Sequence, residues 1–413
     1  MAAAVFCGRL VQNYVLLHYE EGVRELAVFA LALAFIGVFQ STLAFAPQMA
    51  NVLVRGPKSF RSSFRFLIGT SVVFTVPIVL VAWTPLGARI MPVVYRVSDD
   101  DIRLILLYLR YFAPLVLLGG VSLFFEGLLV QARRTGIVST LRMGNLGVLI
   151  GMLLAGSRAG WSPVLTLSLS LVVPLVCHTV ATGMLALRFH VRHSGAEDRL
   201  LTVREIASFF LPMVATTIMF TLTRPIIFGF LTASAGTGEG GAGRAEAMIA
   251  GLSLAFNFNM LFQATVNQFR NLSVTFGTRD LPGLRRFMKR VTIVVALAMA
   301  VSVASPLARL FMRYLQGASG AALDVACQAL WPLIAVPVVI AFRNYYHGLA
   351  MVRRRTVAMA AGGAARNLVI VLCGPMLLVL GWYNHVAAEA MMVTGFTAEA
   401  ATVFRFTRSR HGE

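Results

Sequence analysis

Charge is what this chain has least of. Asp, Glu, Lys and Arg make up 13% of its 413 residues, about half the roughly 25% of an ordinary soluble domain. With 58% hydrophobic residues and a mean hydropathy of +0.78, that deficit excludes a soluble domain and implies a polytopic membrane protein. Cysteine is nearly as scarce. Cys7, Cys177, Cys327 and Cys373 lie far apart with no C-x-x-C spacing, so neither a disulfide framework nor a metal site is expected. Walker A, H-E-x-x-H and G-x-S-x-G motifs are all missing. ATP hydrolysis by this chain is therefore not expected, and neither is an enzymatic role or a cofactor. The N-terminus lacks a charged start and a clear cleavage site, so no cleavable signal peptide is expected. Acids are outnumbered, 17 against 36 Lys and Arg, for a net charge of +19. The cations sit in short loops between apolar spans, which argues against nucleic acid as a partner.

What is there in abundance is apolar runs of about 20 residues, the length that crosses a bilayer. Twelve are expected: Met1–His18, Val23–Ala46, Phe64–Pro85, Ile102–Val130, Ile137–Ala155, Pro163–Leu187, Phe209–Leu231, Ala247–Phe269, Val291–Phe311, Val325–Met351, Val357–Leu380 and Val386–Phe404. The first is short and interrupted by Arg9, Gln12 and Asn13, so it is expected to be truncated: either the chain begins upstream of Met1 or this span is incomplete. Even-numbered loops carry the cations, for example Arg133 and Arg134, Arg285 and Arg286, and Arg353–Arg355, and the tail adds Arg405, Arg408 and Arg410. Odd loops hold Asp99–Asp101, Glu239 and Glu246. The positive-inside rule then puts both termini in the cytoplasm. Trp83, Trp161, Trp331 and Trp382 all fall at outer span ends, where an interfacial belt belongs. Ala233–Gly243 reads as a flexible exposed loop.

The chain repeats itself. Gly127–Thr135 reads GLLVQARRT, and Gly348–Thr356, 221 residues later, reads GLAMVRRRT. Pro85-Leu86 matches Pro306-Leu307 at the same offset. Six spans separate equivalent positions, so the halves share orientation and form parallel repeats. The expected division is a six-helix half over 1–187, a basic linker over 188–205 and a second half over 206–413, with a substrate site between the halves near the midplane.

Polar residues inside spans carry the functional signal, because each is expensive there. Arg224 followed by Pro225 combines a buried cation with a helix kink, which suggests a gate. Arg343 and Asn344 lie in the tenth span, Arg366 in the eleventh, and Arg142 with Asn145 in the fifth. The acids are Glu126, Glu389 and Glu399, readable as ion-pair partners or as proton carriers. Four arginines against three acids leave a cationic bias, and the guanidinium fork suits carboxylate or phosphate. Snorkelling to an interface competes with a cavity role for Arg142, Arg224 and Arg366.

Several pieces resemble the progressive ankylosis protein (ANKH) family, within the multidrug/oligosaccharidyl-lipid/polysaccharide (MATE-like) exporter superfamily. Thr223-Arg224-Pro225-Ile226 is similar to its Ser-Arg-Pro-Ile, and the run from Arg343 through Gly348 to Arg354-Arg355-Thr356 to its Arg-x-x-x-x-Gly…Lys-Lys-Thr. Arg366 lies near an arginine that follows that run, and Gly395-Phe396…Glu399 resembles a Gly-Phe-x-x-Glu. Leu26–Phe35 is similar to the family's second span. The family's acidic C-terminal tail is missing. The resemblance implies export of a small anion such as pyrophosphate, a nucleotide or a citrate-like carboxylate. Arg224 and Arg343 would bind it, Arg366 and Arg142 guide it, and Asn344 and Asn145 assist. The setting expected is a monomer in a bacterial inner membrane. A flippase for a lipid-linked anionic glycan, a cation-coupled multidrug exporter and a non-transporting scaffold are the alternatives.

Overall fold

The computed structural model describes residues 2–190, 198–235, 241–276, 280–353, 355 and 357–408. The middle of the linker, the centre of the glycine-rich loop with Glu239, and Arg279, Arg354, Thr356 and Arg410 lie outside the described residues.

Among the described residues every regular element is helical. The first repeat runs α1 (Ala2–Leu17), α2 (Gly22–Ser41), α3 (Ala46–Leu53), α4 (Pro57–Trp83), α5 (Leu86–Val94), α6 (Asp99–Gln131), α7 (Thr135–Arg158) and α8 (Pro163–His190). Then come α9 (Val203–Thr221), α10 (Thr223–Ala235), α11 (Gly241–Asn267), α12 (Phe269–Phe276), α13 (Leu281–Ala304) and α14 (Leu307–Leu310), the last extended by a π-helical turn, Phe311–Leu315. The chain closes with α15 (Gly320–Leu333), α16 (Val336–Val352), α17 (Val357–Val379) and α18 (His385–Arg408). Among the described residues, nine stretches are long and apolar enough to cross a membrane, ten if α15 and α16, bent by 48°, count as one. The protein is therefore an integral membrane protein of all-α architecture. Two helices expected from the sequence as spans fall outside that count: α18, whose 24 residues cover about 36 Å, and α1, whose 16 residues cover about 24 Å.

Local chemistry sets where several helices begin. The Ser98 hydroxyl accepts from the Asp101 N–H at the start of α6, and Asp99–Asp101 favour its positive end. Thr202 and Glu205 form a reciprocal capping box on α9. Asp198, in the linker, caps α4 from a distance: its carboxylate accepts from the backbone N–H of Lys58 and Ser59, each at 2.9 Å. Burial would raise the Asp198 pKa, but these N–H donors outweigh it and hold the group below its usual range. The cap is thus fully present above the ordinary aspartate range and is lost only in stronger acid.

The repeat is visible element by element. Residues 99–131 of α6 recur as 320–352, where the helix breaks between α15 and α16. Gly160 and Gly381, also 221 positions apart, both sit in the left-handed region, at φ 68° and 69°. Each ends a helix, and Trp161 and Trp382 follow with N–H bonds to Gly156 and Leu377 at 3.0 and 2.9 Å. The repeats meet where α2 packs on α9 and α11, and α1 on α11. Ser41 and Thr221 share a hydroxyl bond there at 2.9 Å, and the Asn13 amide donates to Gln316 at 2.9 Å.

Gly127 and Gly348, the opening residues of the repeated motif, hold the short helices α3 and α12 in close contact. A Cβ on Gly127 would stand 2.5 Å from the Pro47 carbonyl, and one on Gly348 2.3 Å from Ser273 Cβ. Overpacking of this kind costs about 1–3 kcal/mol. We expect Gly127→Leu and Gly348→Leu each to lower the thermal unfolding midpoint of the purified protein. Gly69→Leu, with nothing within 4 Å of its Cβ position, should leave the midpoint unchanged. Indistinguishable melting of all three would contradict this packing.

Candidate functional site

Three of the arginines singled out from the sequence are drawn to carboxylates. In the second repeat, Glu399 on α18 receives two of them. Arg366 of α17 is fully buried and donates from Nη1 to Glu399 at 2.6 Å, from Nε to Thr223 at 3.0 Å and from Nη2 to the Met219 carbonyl at 2.6 Å. Arg343 of α16 lies 3.0 Å from the other Glu399 oxygen, with its N–H aimed off line, so the contact is an ion pair rather than a hydrogen bond. The rings of Phe220 and Phe396 cover both guanidinium groups at 4.8–5.7 Å. His347 stands 3.4 Å from Glu399, with neither ring nitrogen hydrogen-bonded.

This cluster also repairs the break in the seventh span. The helix stops at Thr221 and restarts at Thr223, just ahead of Pro225. At that gap the Met219 carbonyl accepts from Arg366 and, at 2.6 Å, from the Asn367 amide. In lipid a freed carbonyl must find such a partner, and a neighbouring helix supplies it. Arg366 is consequently committed to structure on every side that the chain can offer. Asn344 is committed too, donating to Val266 and Asn267 on α11 at 3.1 Å each.

The first repeat holds a related but looser group. Arg142 of α7 forms a two-pronged pair with Glu126 of α6, its Nε donating to Oε1 at 2.8 Å and its Nη2 to Oε2. His178 of α8 shares Glu126 Oε1 at 2.8 Å. Here the helices do not close over the group. A cavity of about 370 Å³ opens beside it, lined among others by Arg9, Gln12, Ser122 and Asn145.

Arg224 lies apart from both clusters. It is exposed, its guanidinium sits 4.4 Å above the Phe256 ring, and no carboxylate among the described residues lies within ion-pair distance. Its charge is felt by Glu389 on α18, which is buried with neither carboxylate oxygen hydrogen-bonded. It is also felt by Arg9 of α1. Arg9 was read from the sequence only as an interruption of the first span. That the charge of Arg224 reaches it could not be inferred from hydropathy, although an arginine in the first span of each half was there to compare. Hydropathy does not single out His178 or His347 either. Their signal is the offset: Glu126 and His347 are 221 positions apart, and so are His178 and Glu399.

Removing one partner of a buried ion pair typically costs about 3–5 kcal/mol, because the other charge is stranded. Glu399→Gln strands two arginines and Glu126→Gln one. We expect the purified Glu399→Gln protein to melt well below Glu126→Gln, which itself melts below the parent. The reverse order would contradict the greater structural weight given to the Glu399 cluster.

No protein-family model matches the chain, and no curated protein sequence matches it significantly. Solved structures do. An inward-facing multidrug resistance MATE family transporter of the MOP superfamily superposes with a TM-score of 0.68 at 12% identity, over 98% of this chain and 94% of that one. The lipid II flippase MurJ, in an inward closed conformation, gives 0.68 at 12% identity over 98% and 87%. A MOP superfamily transporter from Pyrococcus furiosus, described as having a binding pocket of reversed polarity, gives 0.57 at 15% identity over 99% and 94%. With coverage this complete on both sides, the chain has the fold of the MATE/MOP transporters.

Proposed function

We propose that this protein is a secondary transporter that exports a small organic anion by alternating access between two six-helix halves, residues 1–187 and 206–413. The linker 188–205 ties them, and the setting is a bacterial inner membrane with both termini cytoplasmic. The observation that carries this reading is the pairing of Arg9 with Arg224. Each comes from the first span of its half, Arg9 feels the charge of Arg224, and neither has a carboxylate within ion-pair distance among the described residues. Two such cations repel, and an anion between them turns that repulsion into two attractions. Rocking of the halves would carry the anion from one side to the other, with the break before Pro225 as the bend.

Arg343, Arg366 and Arg142 then hold the walls of the two halves, since Glu399 and Glu126 already engage them. The resemblance to the progressive ankylosis family points to pyrophosphate, nucleotides and citrate as first compounds to try. A cation-coupled multidrug exporter fits less well, because arginine already neutralises Glu126 and Glu399 and leaves only Glu389 of the three acids without a hydrogen bond. The flippase reading draws on the equally good superposition with a lipid II flippase.

Efflux of citrate, ATP and pyrophosphate from proteoliposomes tests the proposal. Arg9→Ala and Arg224→Ala should each reduce anion efflux by about tenfold or more, the loss of one charge-assisted contact being worth about 1.5–3 kcal/mol. Arg224→Lys should retain part of the flux. Parental flux in both alanine variants would remove the proposed site. Turnover of a lipid-linked glycan without flux of any free anion would favour the flippase reading instead.

A further inference from the structure

The cavity in the first repeat has a counterpart, and the counterpart is full. At an offset of 221 residues, Ser122 corresponds to Arg343, Asn145 to Arg366, Glu126 to His347, Leu175 to Phe396 and His178 to Glu399. In the second repeat those five residues form one closed cluster, with two guanidinium groups lying under the Phe396 ring. In the first repeat the same five positions all line the open cavity of about 370 Å³. The acid and the histidine have exchanged places, so a carboxylate still faces an imidazole. The two arginines have not been exchanged but replaced, by Ser122 and Asn145, and the aromatic lid by Leu175. The cavity is the space that the second repeat fills with its own side chains.

The first repeat offers unused contacts to whatever enters. Asn145 Oδ1 is buried without a hydrogen-bond donor, and so is His178 Nδ1 without a partner. Arg9 lies on the wall with only a long contact to Gln12, at 3.4 Å. The rest of the wall is largely leucine, including Leu123, Leu146 and Leu149. Arg9 and Arg142 against Glu126 leave one net positive charge, which disfavours a cationic occupant. A fully polar anion such as pyrophosphate would be desolvated against leucine with no return. The volume falls in the range of small-molecule sites, about 300–1,000 Å³, and would hold roughly 12 waters at about 30 Å³ each.

We propose that this cavity binds the body of an organic anion. Its charged end lies on Arg9, its apolar ring or chain lies among the leucines, and one hydrogen-bond donor meets Asn145. The proposal rests on the anion-transport reading and narrows its substrate class from small anions in general to organic anions with an apolar body and a donor group.

Equilibrium binding to the full-length protein in lipid nanodiscs, with p-aminohippurate and inorganic pyrophosphate as probes, separates the possibilities. p-Aminohippurate should bind the parent at least about tenfold more tightly than pyrophosphate. Asn145→Arg copies the second repeat, and Leu146→Trp fills the apolar wall by bulk. Each should weaken p-aminohippurate binding by about tenfold or more. Any Arg224-dependent binding of pyrophosphate should change by less than about threefold in both variants. If Asn145→Arg fails to fold, Leu146→Trp carries the test. Unchanged p-aminohippurate affinity in the filled variants, or a preference for pyrophosphate, overturns the cavity proposal. Arg224-dependent pyrophosphate binding with no binding of p-aminohippurate overturns the cavity and leaves the transport reading standing. Binding of neither probe overturns the cavity proposal, and it overturns the transport reading too if citrate, ATP and pyrophosphate all fail to show efflux from proteoliposomes.

Discussion

A charge inside a bilayer must be neutralised within reach of its own side chain, and the interior of this protein is laid out by that requirement. Glu399 and Glu126 each stand at the centre of one repeat and draw arginines from neighbouring helices. Because the partners come from α6 and α7 in one repeat, and from α16, α17 and α18 in the other, these contacts fix how the helices lie against each other. The same requirement explains the seventh span. A break there frees the Met219 carbonyl, and Arg366 and Asn367 of a different helix must satisfy it. The helix can bend before Pro225 only because the Glu399 cluster supports the bend.

Against that background the unpaired cations stand out. Arg9, half-buried, and Arg224, exposed, are cations on apolar helices without the carboxylate that compensates the others. Retaining such a group is intelligible if its counter-ion comes and goes, which is what a transported anion does. The two repeats then divide the work. The second is closed by its own arginines and aromatic rings, and in the proposed cycle would serve as a wall. The first keeps the equivalent volume open. An internal duplication in which one copy fills a space with side chains, while the other leaves it vacant, offers an asymmetric ligand site inside a nearly symmetric frame.

Much of this was legible in the sequence, for physical reasons that differ by feature. Spans are legible because bilayer thickness dictates their length, and the repeat is legible because GLLVQARRT and GLAMVRRRT recur with an intact offset. The steric reason for Gly127 and Gly348 emerges only when the short helices α3 and α12 are seen against them. The fates of the arginines were not legible. Arg224, Arg343 and Arg366 look alike in sequence, each a lone cation in an apolar run. What separates them is whether Glu399 lies within a few ångströms, a fact of helix rotation and tilt rather than of hydropathy. Arg9 was obscured because a short interrupted run reads as a weak span, not as a wall of a site. The exchange of Glu126 and His178 for His347 and Glu399 needed only the known offset, carried beyond the motif that revealed it.

The central claim is that the cargo is held by cations that the protein itself does not neutralise. Reversing those charges tests it most directly. In the double variant Arg9→Glu, Arg224→Glu, reconstituted in proteoliposomes beside the parent, citrate flux and flux of an organic cation such as tetraethylammonium would be measured in parallel. The account predicts that citrate flux falls by about tenfold or more relative to that of the cation. Citrate flux that survives the reversal with its preference over the cation intact would contradict it.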